Sequence, residues 1–324
     1  MRALVTGVAG FIGSHLAERL LESGASVVGV DGLTDYYDPD RKRANLDSVA
    51  GTDEFEFVEG NLRQLDLDEL VSGKDVVFHL AGQPGVRRSW GTEFEVYLNE
   101  NLLTTQRLLE AAKGSQIRRF VFASSSSIYG DAERFPTRES EPPQPVSPYG
   151  VSKLAGEHLC QLYHSRFDVP TVSLRYFTVY GPRQRPDMAF ARFIAAGLAG
   201  ERVEVFGDGE QRRDFTFVAD AVAATVTAGS EGKPGETYNV AGGSEATVNE
   251  VLGLLSGLLG HEIPVEHLSP VTGDARHTGA NIDKAAADLG FAPKVGLRQG
   301  LSRQLDAARP VSADANRTAK VSSE

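Results

Sequence analysis

The sequence predicts an α/β fold: a doubly wound parallel sheet with a smaller C-terminal region. Three observations carry this. Short apolar runs alternate with helix-period segments through the first half of the chain. A glycine triplet joins the first run to the first helical pattern. After Gly181-Pro182 the alternation breaks down into irregularly spaced short strands, turns and helices.

The elements follow in order. Ala3-Leu4-Val5 is apolar enough for a buried parallel strand. Gly7, Gly10 and Gly13 come next at three-residue spacing, and Ile12, Leu16, Leu20 and Leu21 then recur at helical spacing. Residues 26–30 form a second apolar run that ends in Asp31. Residues 56–59 read as a third strand and 74–80 as a fourth. Residues 101–112 read as a helix with Leu102, Leu108, Leu109 and Ala112 on one stripe. A fifth strand, 119–123, stops at the serine run 124–127. Pro142, Pro143, Pro145 and Pro148 stiffen the next loop, a helix spans 149–167, and 171–175 is a sixth strand. Farther on, 190–199 and 249–259 are helical, while 203–206 and 264–266 are short strands, the first before the turn Gly207-Asp208-Gly209. The expected organisation is a Rossmann-type domain over 1–175 with returns near 215–243. A substrate-binding region covers 176–214 and 244–309, and the small, polar segment 310–324 reads as a disordered tail.

Composition bounds the function. The chain has 324 residues, 41% hydrophobic and 24% charged, which is ordinary for a globular protein with a large core. A net charge of −11 argues against nucleic acid as a partner, so a negatively charged nucleotide substrate needs locally placed arginines. The single cysteine, Cys160, excludes an intramolecular disulfide framework and fits a reducing cytoplasm. It sits in an apolar helical stretch, where packing is its expected role. No run approaches the ~18 apolar residues of a membrane span. Residues 1–20 hold a strand and a glycine turn, so they do not read as a signal peptide. The seven histidines show no metal-ligand spacing, and no metal is expected. His79 ends a buried strand and reads as structural.

Two segments carry chemistry. In the first, glycine gives a tight turn, lets the backbone approach a pyrophosphate and allows close helix–strand packing. The helix N-terminus then presents N–H groups to the phosphates. Asp31, at the end of the next strand, is placed to accept from an adenosine ribose and to repel a 2′-phosphate, so NAD is expected over NADP. In the second, Tyr149 and Lys153 are four apart and share a helix face. A tyrosine with a pKa of ~10 is a poor base at neutral pH. A neighbouring ammonium and a positive nicotinamide both favour the phenolate. Lys153 can also hold the nicotinamide ribose. Ligands of such sheets bind at the carboxyl ends of the strands, where Ala81-Gly82, the serines and Tyr176-Phe177-Thr178 also fall.

These residues resemble the extended short-chain dehydrogenase/reductases, and within them the nucleotide-sugar epimerases. The resemblance covers about residues 1–308. It rests on Thr6-Gly7-x-x-Gly10-Phe11-Ile12-Gly13, His79-Leu80-Ala81, Asn101, the serines with Tyr129-Gly130, and Tyr149-x-x-x-Lys153. Two further stretches carry it: 175–182, and Gly207-Asp208-Gly209-x-x-x-Arg213-Asp214-Phe215. It implies catalytic roles for Ser125, Tyr149 and Lys153. It implies a cofactor site of Gly7, Gly10, Phe11, Ile12, Gly13, Asp31, Leu80, Ala81, Gly82, Asn101, Ser124, Tyr149, Lys153 and Tyr176, with Asn61 and Leu62 beside the adenine. Asp is more usual than Asn at position 61; Asn61 still offers an acceptor. The resemblance also implies a homodimer through paired helices 101–113 and 149–167.

Within the family, dehydratases carry Asp-Glu where this chain has Ser126 and Ser127, and decarboxylases carry Glu at the second of these positions, Ser127, so both activities are disfavoured. The segments 35–39 and 185–189 look like UDP-glucuronate 4-epimerases more than UDP-glucose ones. A uronate carboxylate needs donors and preferably a cation, and Ser126, Ser127, Thr178 and Arg185 could supply them. Arg87, Ser125, Tyr149, Val205, Phe206, Arg213 and Arg276 complete the expected substrate site, with Arg213 placed by the family on the diphosphate. The expected reaction is NAD-dependent 4-epimerisation of UDP-glucuronate to UDP-galacturonate. UDP-glucose 4-epimerase is the alternative; a dehydratase, a net oxidoreductase or a non-catalytic NAD-binding regulator stands further off.

Overall fold

The computed structural model describes residues 1–269 and 275–309. The segment expected to be a tail, 310–324, lies outside the described residues. Seven strands build the central sheet: β1 (Arg2–Thr6), β2 (Ser26–Asp31), β3 (Phe55–Glu59), β4 (Val76–His79), β5 (Arg119–Ser125), β6 (Thr171–Tyr176) and β7 (Thr237–Val240). All pairings are parallel, in the order β7-β6-β5-β4-β1-β2-β3. The winding direction reverses between β1 and β4. That is where an open α/β sheet leaves a crevice at its carboxyl edge.

Strand alternation sends neighbouring residues to opposite faces, and each face has its own core. Val5, Phe78 and Val121 pack with Leu16 and Leu20 of the helix Phe11–Glu22 and with Ala224 and Ala228 of Val218–Glu231. Leu4, Val77 and Phe120 pack with Leu108 and Leu109 of Thr104–Ala112 and with Cys160 and Tyr163 of Pro148–Phe167. Burying such runs on both faces removes a large apolar area from water, at roughly 25 cal/mol per Å². His79 is fully buried and bridges Thr6 Oγ1 at 2.8 Å and Thr105 Oγ1 at 3.0 Å; burial and the Lys153 charge push its pKa down to about 3. It is a neutral strut between β1 and a helix.

One expected helix differs. The segment 101–112 is not continuous α-helix: a π-helical stretch, Leu98–Leu103, leads into Thr104–Ala112. The wider winding frees carbonyls from the regular ladder, and threonine hydroxyls take them up: Thr104 donates to Glu100 O and Thr105 to Asn101 O, both at 2.5 Å. Hydrophobic spacing alone does not report this, because the apolar stripe is the same for both windings over one turn.

The last third contributes to both regions. Val218–Glu231 and β7 complete the main sheet. Val203–Phe206 pairs in parallel with Val265–Leu268, and Arg212–Asp214 lies between Glu245–Thr247 and His277–Thr278. Val179–Tyr180 pairs with Thr216–Phe217 and so carries the chain out of β6 over the carboxyl edge of the sheet.

Candidate functional site

A cleft runs along that carboxyl edge. Its wall includes Gly7, Gly10, Phe11, Ile12, Gly13, Asp31, Asn61, Leu62, Leu80, Ala81 and Gly82, then Ser124 to Ser127, Tyr149, Lys153, Tyr176, Thr178 and Arg185. Segments up to about 180 residues apart in sequence therefore meet.

The glycine cradle is dictated by contact. Gly7 has φ +73°, and a Cβ there would lie 2.8 Å from Ala81 N. A Cβ on Gly13 would lie 2.1 Å from Gly7 O. Gly10 precedes the helix Phe11–Glu22 and brings no side-chain cap, so the first-turn N–H groups, which lack intrahelical acceptors, remain for a ligand. A dinucleotide pyrophosphate fits this donor set. Asp31 accepts from Ala9 N at 3.0 Å and Leu33 N at 2.9 Å. Burial raises its pKa, and the two N–H groups and Lys42 oppose that rise. With two of about four lone-pair positions taken, the carboxylate keeps acceptors for a ribose diol. Lys42 was not singled out from sequence. It reads as one charge in an exposed run, yet it is 6% exposed and donates to Thr34 O at 2.7 Å on the cleft wall. Asn61 Oδ1 accepts from Arg63 N at 2.8 Å, and its amide donates to Glu100.

Asn101 stands behind the wall rather than on it. From the π-helical stretch it accepts from Gln83 N at 2.6 Å and donates to Gln83 O at 3.0 Å and Ser152 Oγ at 2.9 Å. It ties the loop after β4 to the helix that carries Tyr149.

That helix, Pro148–Phe167, starts where Ser147 accepts from Gly150 N at 3.1 Å and Pro148 fixes the first turn. Tyr149 and Ser125 stand together on the cleft wall. Ser125 Oγ donates to Ser127 Oγ and accepts from Ser127 N, both at 3.1 Å. Burial raises the Tyr149 pKa; the Ser125 hydrogen bond and the Arg185 charge pull it down, and the balance stays above the ordinary phenol value. The four-residue spacing predicts that Lys153 supplies that pull. In the structure Lys153 is 6% exposed and donates to Ala123 O at 2.9 Å, and burial lowers its pKa to about 8. The long side chain runs back to β5, so the protein cation acting on Tyr149 is Arg185.

Behind the serines lies a buried polar relay. Ser124 donates to Glu157 Oε1. Glu157 is forked by Arg175, with Nη2 at 2.8 Å and Nε at 3.0 Å. Arg175 Nη1 reaches Tyr129 Oη at 2.6 Å, and Tyr129 donates to Asn239 Oδ1 at 2.8 Å. It locks the end of β5 against β6 and β7. Tyr176 keeps its ring on the wall while its hydroxyl meets Thr225 Oγ1 at 2.7 Å.

Five expected substrate residues fall outside this wall. Val205 is 2% exposed in the core. The Arg87 guanidinium lies 4.3 Å from the Phe206 ring centroid. Arg276 holds Asp208 through two bonds of 2.9 Å, and Arg213 donates to Arg212 O and Arg276 O. Val205, Phe206 and Arg213 lie on C-terminal strands, Arg276 just before one, and Arg87 reaches them from the turn Arg87–Ser89.

A model described as "NAD dependent epimerase/dehydratase family" matches residues 3–241. The chain belongs to that family. A Bacillus subtilis (strain 168) relative named as an uncharacterized UDP-glucose epimerase, YtcB, is 43% identical over 307 residues, covering 94% of this chain and 97% of the relative. A UDP-glucuronate 4-epimerase of Thermodesulfobacterium geofontis (strain OPF15) is 35% identical over 312 residues, covering 94% of each. Among solved structures, a UDP-glucuronic acid 4-epimerase from Bacillus cereus in complex with UDP-glucuronic acid and NAD superposes with a TM-score of 0.92 at 42% identity, covering 95% of this chain and 98% of that one. Among the described residues of this family member, no helix is long and apolar enough to cross a membrane.

Proposed function

We propose that the protein is an isomerase that interconverts UDP-glucuronate and UDP-galacturonate with bound NAD. The observation that carries this reading is the convergence of Ser126, Ser127, Thr178 and Arg185 beside Tyr149 in one cleft. A C6 carboxylate needs several donors and a counter-charge at that place, whereas a neutral hydroxymethyl needs hydrogen bonds but no cation. The sheet half of the chain holds the cofactor, and the C-terminal region covers the sugar nucleotide.

When bound, NAD would take the C4 hydride and return it, and would add a positive charge to the cleft. Asp31 would hold the adenosine ribose, the first turn of Phe11–Glu22 the pyrophosphate, and Lys153 the nicotinamide ribose. Tyr149 takes the proton from the sugar O4, with Ser125 orienting both hydroxyls, and returns it to O4 after the 4-keto sugar has turned its other face. The cation that favours Tyr149 phenolate within the protein is Arg185. The 4-keto uronate is a β-keto acid, and donors held on its carboxylate slow the loss of CO₂. Arg213 and Arg276 are assigned to the diphosphate and Phe206 to the nucleotide end.

Two further assignments complete the reading. Val96, Leu98, Leu103, Val151, Leu162 and Phe167 are exposed on the helical segments 94–112 and 148–167, and a homodimer would bury them. A single sedimenting species of monomer mass refutes that. A cytoplasmic location fits the lone, buried Cys160.

The deciding experiment is proton NMR of the protein with UDP-glucuronate and, separately, with UDP-glucose, with no NAD added. UDP-galacturonate from the first and no turnover of the second is the expected result. Turnover of UDP-glucose alone refutes the carboxylate site and leaves the Tyr149 chemistry standing. UDP-pentose as the major product refutes the protection of the β-keto acid.

A further inference from the structure

Arg185 does not enter the cleft as a lone cation. Its Nε donates to Asp187 Oδ1 and its Nη2 to Oδ2, both at 3.0 Å, a side-on fork that fixes the guanidinium plane. Tyr36, from the loop after β2, donates to the same Oδ2 at 3.2 Å. The Tyr36 ring lies 5.8 Å from Arg185 Cζ and 5.0 Å from Arg88 Cζ, near two cations at once. Its hydroxyl is boxed in: a Cβ at Gly85 would lie 2.8 Å away, and the Gly85 carbonyl is itself held by Tyr97 Oη at 2.7 Å. Within the ion pair Arg185 is the more buried partner, with 19% of its side chain exposed against 39% for Asp187.

The fork occupies two of the five guanidinium N–H donors. The Nη1 edge remains for a ligand, presented by one half of a neutral pair. We propose that Asp187, steadied by Tyr36, is a positioning residue for substrate recognition: it holds Arg185 where the C6 carboxylate arrives and limits the contact to one edge. This rests on the reading of Arg185 as the carboxylate partner and adds the residues that make it one. A long side chain already fixed in its bound orientation loses little freedom when the sugar docks. Removing Asp187 restores that freedom, so the penalty falls first on binding of a uronate; because the Arg185 charge also acts on Tyr149, proton transfer changes too, but less. A sugar without the carboxylate does not use the Nη1 edge and does not feel the change.

The test measures kcat and KM for UDP-glucuronate, with the inhibition constant of UDP-glucose in the same assay, for wild type, D187A, D187N, Y36F, R185A and the R185A/D187A pair. NAD content and thermal midpoint are recorded for each. D187A is expected to raise KM for UDP-glucuronate by about tenfold, change kcat by less than about threefold, and move the UDP-glucose constant by less than about twofold. D187N, which keeps one acceptor oxygen, recovers part of the loss, and Y36F gives a smaller rise. In the R185A background D187A adds nothing, because the residue acts through Arg185. If R185A leaves the preference for UDP-glucuronate over UDP-glucose intact, the reading of Arg185 fails and this inference with it. If R185A removes the preference and D187A does not raise KM, only the positioning by Asp187 is overturned. An equal loss of both ligands in D187A, with D187N no better, marks a collapsed loop and also overturns it.

Discussion

Glu157→Gln isolates the relay behind the serines. Both side chains of the Glu157–Arg175 pair are 8% exposed, and the guanidinium makes contacts of 2.8, 3.0 and 3.3 Å to the carboxylate. The carboxamide keeps nearly the same shape and an acceptor for Ser124, but it leaves the Arg175 charge buried and uncompensated. Burial acts against that cation, and Glu157 is the largest opposing influence. Breaking a buried pair on one side costs about 3–5 kcal/mol, whereas replacing both partners by apolar residues of similar volume is close to neutral. We therefore expect Glu157→Gln to lose about 3–5 kcal/mol in urea unfolding, and Glu157→Met with Arg175→Met to lose far less than twice that. Ser124 precedes Ser125, so the Gln variant should also lower kcat in its fully folded fraction. A loss below about 1 kcal/mol for the single variant, or a double variant equal to the sum of the singles, refutes the argument. Either result would mean that water reaches Arg175 or that the charges do not depend on one another.

Three other outcomes follow from the same geometry. Tyr149→Phe should lower kcat by about 10²–10⁴-fold while the protein still carries NAD, because the phenol moves a proton and the cradle is untouched; unchanged kcat assigns the base elsewhere. Gly13→Ala should yield protein without NAD, seen as a lower 260/280 nm absorbance ratio, since the new Cβ meets Gly7 O at 2.1 Å; wild-type NAD content contradicts the cradle. Asp214 is held by burial at a pKa of about 6 against an ordinary 3.8. The folded state binds that proton more tightly than the unfolded chain. Ionising Asp214 thus costs stability that is absent below pH about 4, grows as pH rises through 4–6, and reaches roughly 3 kcal/mol at neutral pH. Asp214→Asn should gain stability relative to wild type between pH 4 and pH 7, whatever its absolute loss of acceptors; equal shifts at both pH values dispose of the idea.

Much of this was legible in the chain because it is local. Short apolar runs report strands buried on both faces and period-3.6 spacing reports helices, so β1 to β6 and the helix Pro148–Phe167 could be placed within a few residues. The glycine triplet and Asp31 are legible for the same reason: one strand, one turn and one helix suffice to build that end of the cleft. Tyr149 and Lys153 share a helix face by arithmetic. The arithmetic stops at the Cβ, which is why Lys153 was expected to act on Tyr149 although its ammonium reaches Ala123 O instead.

What the sequence by itself determined is therefore the sheet, the cradle and the shared helix face of Tyr149 and Lys153. These depend on backbone periods and short-range sterics that each segment carries alone. Only the tertiary structure decided that Arg185 faces Tyr149 as half of a pair with Asp187, that Lys42 is buried on the wall, that Asn101 works from a π-helical stretch, and that Arg87 rests on Phe206. Those outcomes depend on where long side chains find partners across loops far apart in sequence. Contacts of that kind leave no periodic trace, because the free energy that selects them comes from burial and charge compensation after the elements have packed.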